Sequence, residues 1–205
     1  MIITYYGKQF FKITQGDLVI AYNPISKSSN FSPSRFGSDI AISSVSMGDY
    51  SGIETVTYSG KEPFAIRGAG DYEVKGVSIK GVGSEVLIDN KKYINTAYTV
   101  TLEGIKLAFI GALTELNDAT RELVLSADIL FVPVSDKFLP PAKAYKAALS
   151  LEPLIIIPME DASGAPLKQF LKEGGQEDAE IVDKLTIKKK DFDGKEAEII
   201  VLKEA

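Results

Sequence analysis

The sequence contains no cysteine, no histidine and no tryptophan. Without cysteine there is no disulfide, no thiolate zinc site and no iron–sulfur cluster. Without histidine there is no Ser-His-Asp or Cys-His nucleophilic site, and no imidazole to hold a transition metal or move protons near neutral pH. Carboxylate, lysine, tyrosine, hydroxyl and backbone chemistry is what remains. Long hydrophobic runs are also missing: uninterrupted apolar stretches, such as residues 154–157, fall far short of the ~18 residues needed to cross a bilayer. Residues 1–12 alternate like a strand and carry no basic n-region, apolar core and small-residue cleavage site, so no secretory signal is read there and the chain is expected in the cytoplasm. Nor is there an excess of positive charge. A net charge of −5 and a pI near 5.0 argue against a global attraction to nucleic acid or to anionic lipid, although a local basic patch stays open.

What is present describes a globular chain: 205 residues, 45% apolar and 25% charged, with no internal linker, read as a single domain over 1–205. Runs rich in β-branched and aromatic residues dominate the first half, at 2–6, 10–14, 18–22, 40–43, 55–58, 64–66, 72–74, 77–82, 86–88 and 93–102. Turn clusters such as Gln15-Gly16-Asp17, Asp89-Asn90 and Glu103-Gly104 separate them and predict an antiparallel meander. Residues 23–37, with five serines and two prolines, read as a loop too polar to pack and as the most mobile long segment.

The second half changes rhythm. A strand at 105–110 precedes Leu116, Ala119, Thr120, Leu123, Val124 and Ala127, whose spacing predicts a helix capped by Asn117 or Asp118. A strand at 129–134 leads to Pro140-Pro141, which opens a helix with Tyr145, Ala148 and Leu149 on its apolar stripe. A continuous apolar strand at 154–158 is followed by a helix over 166–173 that stops at Gly174-Gly175. Two last strands, 184–190 and 198–202, read as a hairpin around Asp193-Gly194. This order predicts the α/β class: two packed sheets with helices on their outer faces.

Few motifs carry chemistry. Asp49, Asp71, Glu73, Glu85, Glu160 and Asp161 lie at or near strand ends, where carboxylates meeting in a cleft serve acid–base work or hard-cation binding; singly, each reads as a solvated surface carboxylate. Gly68-Ala69-Gly70 and Gly81-Val82-Gly83 neither complete a three-glycine phosphate fingerprint nor open a helix, and read as tight turns. Asp191-Phe192-Asp193-Gly194 lacks the later ligands of a calcium loop and reads as a hairpin turn. Lys188-Lys189-Lys190 cannot form one continuous basic stripe, because adjacent strand residues point to opposite faces, and reads as a protected edge strand. Asn30-Phe31-Ser32 matches a glycosylation sequon that has no weight without a secretion signal.

Taken in order, several segments resemble the metallo-β-lactamase fold superfamily, most closely its L-ascorbate-6-phosphate lactonase-like branch, over most of the chain. Ile3-Thr4-Tyr5-Tyr6-Gly7 followed by Phe11-Lys12-Ile13 is similar to the branch's first hairpin, and residues 38–52 run parallel to its strand and metal loop with the signature His-x-His-x-Asp-His. Residues 70–77 resemble its middle hairpin, Phe109-Ile110-Gly111-Ala112-Leu113 its Gly-Asp turn, and residues 128–134 and 152–160 its closing strands, the last in place of a segment ending Ile-Pro-Met-His. The resemblance implies a four-layer αββα sandwich. Position by position, the first histidines fall on Val45, Met47 and Tyr50, with Asp49 retained; the next falls near Ser84 or Glu85, the bridging aspartate on Ala112 and the last histidine on Glu160, while the Gly-His of the first hairpin is Gly7-Lys8.

In the family, imidazoles and carboxylates hold metals that turn water into hydroxide. Val45 has no lone pair, Met47 offers a thioether and neutral Tyr50 is a poor ligand, so no zinc cofactor is expected; Asp49 and Glu160, with Glu85, are left as a weak all-oxygen site for Mg²⁺ or Ca²⁺. Two carboxylates in one cleft repel unless a cation joins them. Lys8 is therefore expected to pair with Asp49 or Glu160 while Met47 and Tyr50 fill the vacated volume; read alone, Lys8 is a surface lysine. The resemblance thus implies a non-catalytic binding or scaffolding protein whose partner is a protein, a small molecule or a second copy of the chain. The alternative is a hydrolase of lactones or phosphoesters using an oxygen-ligated divalent cation through Asp49 and Glu160. Nucleic-acid binding ranks last on the acidic balance.

Overall fold

A computed structural model describes residues 1–58, 60–160 and 163–205. The first sheet starts where the alternation is clearest. β1 (Ile2–Tyr5), β2 (Phe11–Gln15) and β3 (Leu18–Tyr22) form an antiparallel meander with Ile3 opposite Ile13 and Tyr5 opposite Phe11. β4 (Ile40–Ile42) and β5 (Phe64–Ile66) then join in parallel, which corrects the expectation of an antiparallel meander throughout. The expected strand at 55–58 is replaced by a 3₁₀ turn over Ile53–Thr55 and irregular chain, with Tyr58 in a lone bridge to Lys61. Threonine hydroxyls compete here for backbone: Thr55 Oγ1 donates to the Gly52 carbonyl at 2.7 Å and Thr57 Oγ1 to that of Ile53 at 3.1 Å.

The second sheet runs through β6 (Gly70–Val74), β7 (Val77–Ile88), β8 (Lys91–Leu102), β9 (Ile105–Phe109), β10 (Ile129–Val134), β11 (Ile155–Glu160), β12 (Glu180–Val182) and, last in the chain, β14 (Glu198–Leu202), in the spatial order β12-β14-β11-β10-β9-β8-β7-β6. From β9 to β12 every pair is parallel. β10 and β11 are buried at every residue, the condition that continuous apolar runs satisfy. The glycines at 81 and 83 make no turn, contrary to expectation; β7 is one strand of 12 residues. Gly81 is needed for packing instead, since a Cβ there would lie 2.7 Å from the Tyr98 ring.

The expected hairpin around Asp193-Gly194 is also absent. β13 (Leu185–Thr186) pairs with β1 in the first sheet while β14 enters the second. The lysine run between them forms a 3₁₀ turn over Lys189–Phe192 rather than an edge strand, with Asp191 accepting from the Lys188 N–H at 2.8 Å and Lys189 paired to Asp128 at 2.8 Å. β14 is apolar and almost wholly buried, which suits an inner strand.

α1 (Asp118–Val124) is capped by Asn117, whose side chain accepts from the Thr120 N–H at 2.9 Å, and packs on β7 and β8. α2 (Pro141–Leu149) opens on proline, and α3 (Gly164–Glu173) packs on α2 and, with it, on β10. Two mixed sheets with a few helices outside the larger one give the α/β layered sandwich expected from the element order. Between the sheets, Phe109 stacks on Tyr22 at 4.0 Å and on Phe131 at 4.1 Å, and Phe131 meets Phe11 edge-on at 4.8 Å; such ring pairs contribute about 0.5–1.5 kcal/mol each beyond their buried area. The outer face of the six-stranded sheet, through Phe10, Ala21 and Ala41, is covered by Ile25, Ile53 and Val56. Residues 23–37 therefore do pack: Ile25 is buried and Phe36 stacks on Phe10 at 5.6 Å. Among the described residues no helix is long and apolar enough to cross a membrane.

Candidate active-site cleft

Parallel strands that end together bring the loops after them together. The carboxyl ends of β9, β10 and β11 point to one rim, and the loop after β4 joins it through the Thr96 N–H, which donates to the Ser44 carbonyl at 2.7 Å. Glu160 is the last residue of β11, carried into the interior by the apolar run before it. It is 6% exposed. Its backbone forms an antiparallel bridge to Lys8. Both residues sit in the left-handed region, at φ 53 for Lys8 and 74 for Glu160, which for non-glycine residues costs of order 1–3 kcal/mol each and persists only where surroundings enforce it. Tyr5 helps to enforce it: its hydroxyl lies 2.9 Å from the Lys8 carbonyl and 3.1 Å from that of Glu160.

The side chains converge as well. The Lys8 ammonium stands 3.2 Å from Glu160 Oε1. The Tyr50 hydroxyl lies 3.0 Å from both carboxylate oxygens, and Gln9 Nε2 donates to Oε2 at 3.1 Å. Behind Gln9, Asn23 Nδ2 donates to Gln9 Oε1 at 3.1 Å and to Ser44 Oγ at 2.8 Å, and Asn23 Oδ1 accepts from the Ser44 N–H at 2.7 Å. Burial is the largest influence on the Glu160 carboxyl and raises its pKa; the Lys8 charge and the hydrogen bonds from Tyr50, Lys8 and Gln9 pull the other way without cancelling it.

Four of the positions aligned with family ligands stand in apolar surroundings. Val45, Tyr50 and Ala112 are buried in one cluster with Val86 and Phe138, and half-buried Met47 packs against it. The Tyr50 ring meets Phe138 edge-on at 6.1 Å. Ala112 is fixed by Asn95, which accepts from the Ala112 N–H at 2.8 Å and donates to the Ile110 carbonyl at 3.0 Å. Gly111 between them has φ 65, and a Cβ there would lie 2.4 Å from Asn95 Oδ1.

Asp49 and Glu85 have other partners. Asp49 accepts from Ser29 Oγ at 2.6 Å, and Glu85 is exposed and paired with Lys92 at 2.8 Å. Ser84 Oγ is buried without a partner among the described residues. Asp71 pairs with Lys80 at 3.8 Å on exposed β6, where Glu73 is exposed too; Asp161 lies outside the described residues. The structure thus joins Lys8, Tyr50 and Glu160, and joins Val45, Met47 and Ala112 to Tyr50, but gathers no carboxylate cluster: among the described residues no group of three or more Asp or Glu converges as a cation site. The donor set does not fit zinc, since the aligned side chains are hydrocarbon, thioether, phenol and a carboxylate already facing an ammonium.

Gln9, Asn23 and Asn95 were not among the expected site residues. Gln9 carries a signal in retrospect, as a polar side chain against the aromatic pair Phe10-Phe11. The covering loop was missed as well. Phe31 places its ring 4.6 Å from the Lys8 ammonium, and Ser26 Oγ and the Lys27 N–H donate to Glu54 Oε1 at 2.8 and 3.0 Å, so residues 26–31 lie across the rim.

Solved structures share this fold. A candidate Zn-dependent hydrolase of the metallo-β-lactamase superfamily from Thermotoga maritima is 25% identical, with a TM-score of 0.73 over 98% of this chain and 97% of its own. A candidate metal-dependent hydrolase from Parabacteroides distasonis is 19% identical, with a TM-score of 0.64 over 84% of this chain and 89% of its own. A metallo hydrolase from Ignicoccus hospitalis is 16% identical, with a TM-score of 0.62 over 91% and 99%. No curated protein matches the chain. The family model described as the Beta-lactamase superfamily domain matches residues 2–160, and the chain, with its two mixed sheets and outer helices, belongs to that superfamily and has the metallo-β-lactamase fold.

Proposed function

We propose that the chain is a non-catalytic member of the superfamily, from its L-ascorbate-6-phosphate lactonase-like branch, in which the zinc site has given way to a charge-compensated plug and which works as a binding or scaffolding module in the cytoplasm. The observation that carries this reading is the pairing of Glu160 with Lys8 at 3.2 Å under the Tyr50 hydroxyl. A divalent cation at Glu160 would have to displace an ammonium and two neutral donors, and the side chains at the aligned positions Val45 and Ala112 have no lone pairs to offer. A single domain over 1–205 also belongs to the reading: β13 joins the smaller sheet, and β12 and β14 the larger, from beyond the family match. The partner is a protein, a small molecule or a second copy of the chain, and no nucleic acid is expected.

The test is metal content and turnover measured on the same sample. Protein purified without added metal is expected to hold far less than one equivalent of any transition metal, to give no saturable heat with Zn²⁺, Mn²⁺, Mg²⁺ or Ca²⁺, and to show no chelator-sensitive hydrolysis of lactones or phosphodiesters. Stoichiometric uptake abolished by Asp49→Asn or Glu160→Gln would replace this reading with the oxygen-ligated hydrolase.

A further inference from the structure

Between α1 and α2 lies a groove of about 540 Å³ that shares no residue with the Glu160 cluster. It begins at Thr114, two residues beyond Ala112. Its floor is apolar, made by half-buried Leu116 and buried Leu139, with Ala147 on one wall. That wall is a stripe of α2 and its C-cap: Lys143, Lys146, Ala147 and the capping Ser150 recur at the spacing that puts side chains on one helix face. α2 contains no acidic residue, and among the described residues neither Lys143 nor Lys146 meets a carboxylate. From the facing helix, Arg121 donates to the Ser150 carbonyl at 2.9 Å and to Ser150 Oγ at 3.2 Å. This holds the guanidinium at the mouth of the groove with donors to spare.

Three cations therefore face one carboxylate, Glu115, in a chain whose overall charge is −5. Like charges gathered beside a half-buried hydrocarbon floor leave room for two things, a counter-charge and an apolar cover. One ligand meets both. We propose that the groove binds an amphipathic organic acid, its carboxylate seated among Arg121, Lys143 and Lys146 and its hydrocarbon body lying over Leu116 and Leu139. An Arg fork with two lysine point charges suits a carboxylate, and the volume lies in the range of small-molecule sites, about 300–1,000 Å³. The site stands apart from the reading of the Glu160 cleft, so neither decides the other.

Calorimetric titration with decanoate below its micellar range tests it, with decanol and decylammonium as uncharged and cationic controls. One decanoate per chain is expected, weakened by added salt, with decanol and decylammonium each bound at least about tenfold more weakly. Lys143→Ala with Lys146→Ala, both exposed positions that leave the core intact, should weaken decanoate by about tenfold or more, and Lys143→Arg with Lys146→Arg should restore it. Absence of decanoate binding, equal binding of decanol, or unchanged affinity in the folded double-alanine variant would overturn the proposal.

Discussion

Lys8 and Glu160 are joined twice, by a backbone hydrogen bond from the Glu160 N–H to the Lys8 carbonyl and by an ion pair at 3.2 Å between their side chains. The first bond fixes where the second can form. Lys8→Met leaves the carboxylate in its buried place with only neutral donors, and because the lysine side chain keeps 21% of its exposure, the expected cost is about 2–3 kcal/mol, below that of a wholly buried pair. Lys8→Met with Glu160→Gln is expected to recover at least about 1 kcal/mol relative to the sum of the single changes. Urea unfolding of the four proteins closes the cycle, and simple additivity would show that the pair is not coupled.

Burial raises the Glu160 pKa above its ordinary value of 4.5. The folded state then binds a proton that the unfolded chain releases, so this group's contribution is fully present below 4.5 and is lost as pH rises through the raised value. The difference in stability between the wild-type protein and Glu160→Gln should shift against the wild type over that window. A difference that is flat in pH would show that Glu160 does not titrate anomalously.

Asp39 behaves in the opposite sense. Burial opposes its ionisation, but Lys75, the Val19 N–H and Lys61 outweigh burial and hold its pKa at about 2, against an ordinary 3.8. Its stabilisation is present above 3.8 and is lost as pH falls toward 2. Exposed lysine partners limit the gain to roughly 1–2 kcal/mol. Acid unfolding of Asp39→Asn should lack this component, with the two proteins converging in stability near the lower end of the range.

Asn95 and Gly111 hold the turn that places Ala112 at the rim. Asn95→Ala strands the Ala112 N–H and the Ile110 carbonyl in a dry interior and should cost about 2–3 kcal/mol. Gly111→Ala meets both a left-handed backbone and the Asn95 side chain, and should cost at least about 2 kcal/mol. Thermal melting of the two variants measures both, and a neutral Gly111→Ala would mean that the turn adapts freely.

The cleft also predicts what would rebuild it. Val45→His, Met47→His, Tyr50→His, Ala112→Asp and Glu160→His together are expected to confer zinc uptake measurable by elemental analysis, with lower stability before metal is added, because unpaired polar groups then occupy an apolar cluster. A folded variant that takes up no zinc would show that these positions do not face a common point.

Strand periodicity was readable locally because burial of one face requires it: Ile3, Tyr5, Phe11 and Ile13 mark β1 and β2, and 155–160 marks a central strand by its unbroken hydrocarbon. Which strands pair was less readable. β4 and β5 join in parallel across long connections, and the last two strands enter different sheets, choices made by distant partners rather than by the turn residues between them. The loop 23–37 was misread because composition counts its serines and cannot show that Ile25 and Phe36 close an otherwise bare sheet face.

By itself the sequence determined the chemistry withheld from this protein, since a chain without histidine or cysteine cannot present imidazole or thiolate anywhere in space. Tertiary structure alone decided what stands in that place. Lys8, Tyr50 and Glu160 come from three distant segments and meet only because β1, the loop after β4 and the end of β11 reach one rim. The strength and protonation of that contact depend on the burial of Glu160, a property of packing that no local pattern of residues encodes.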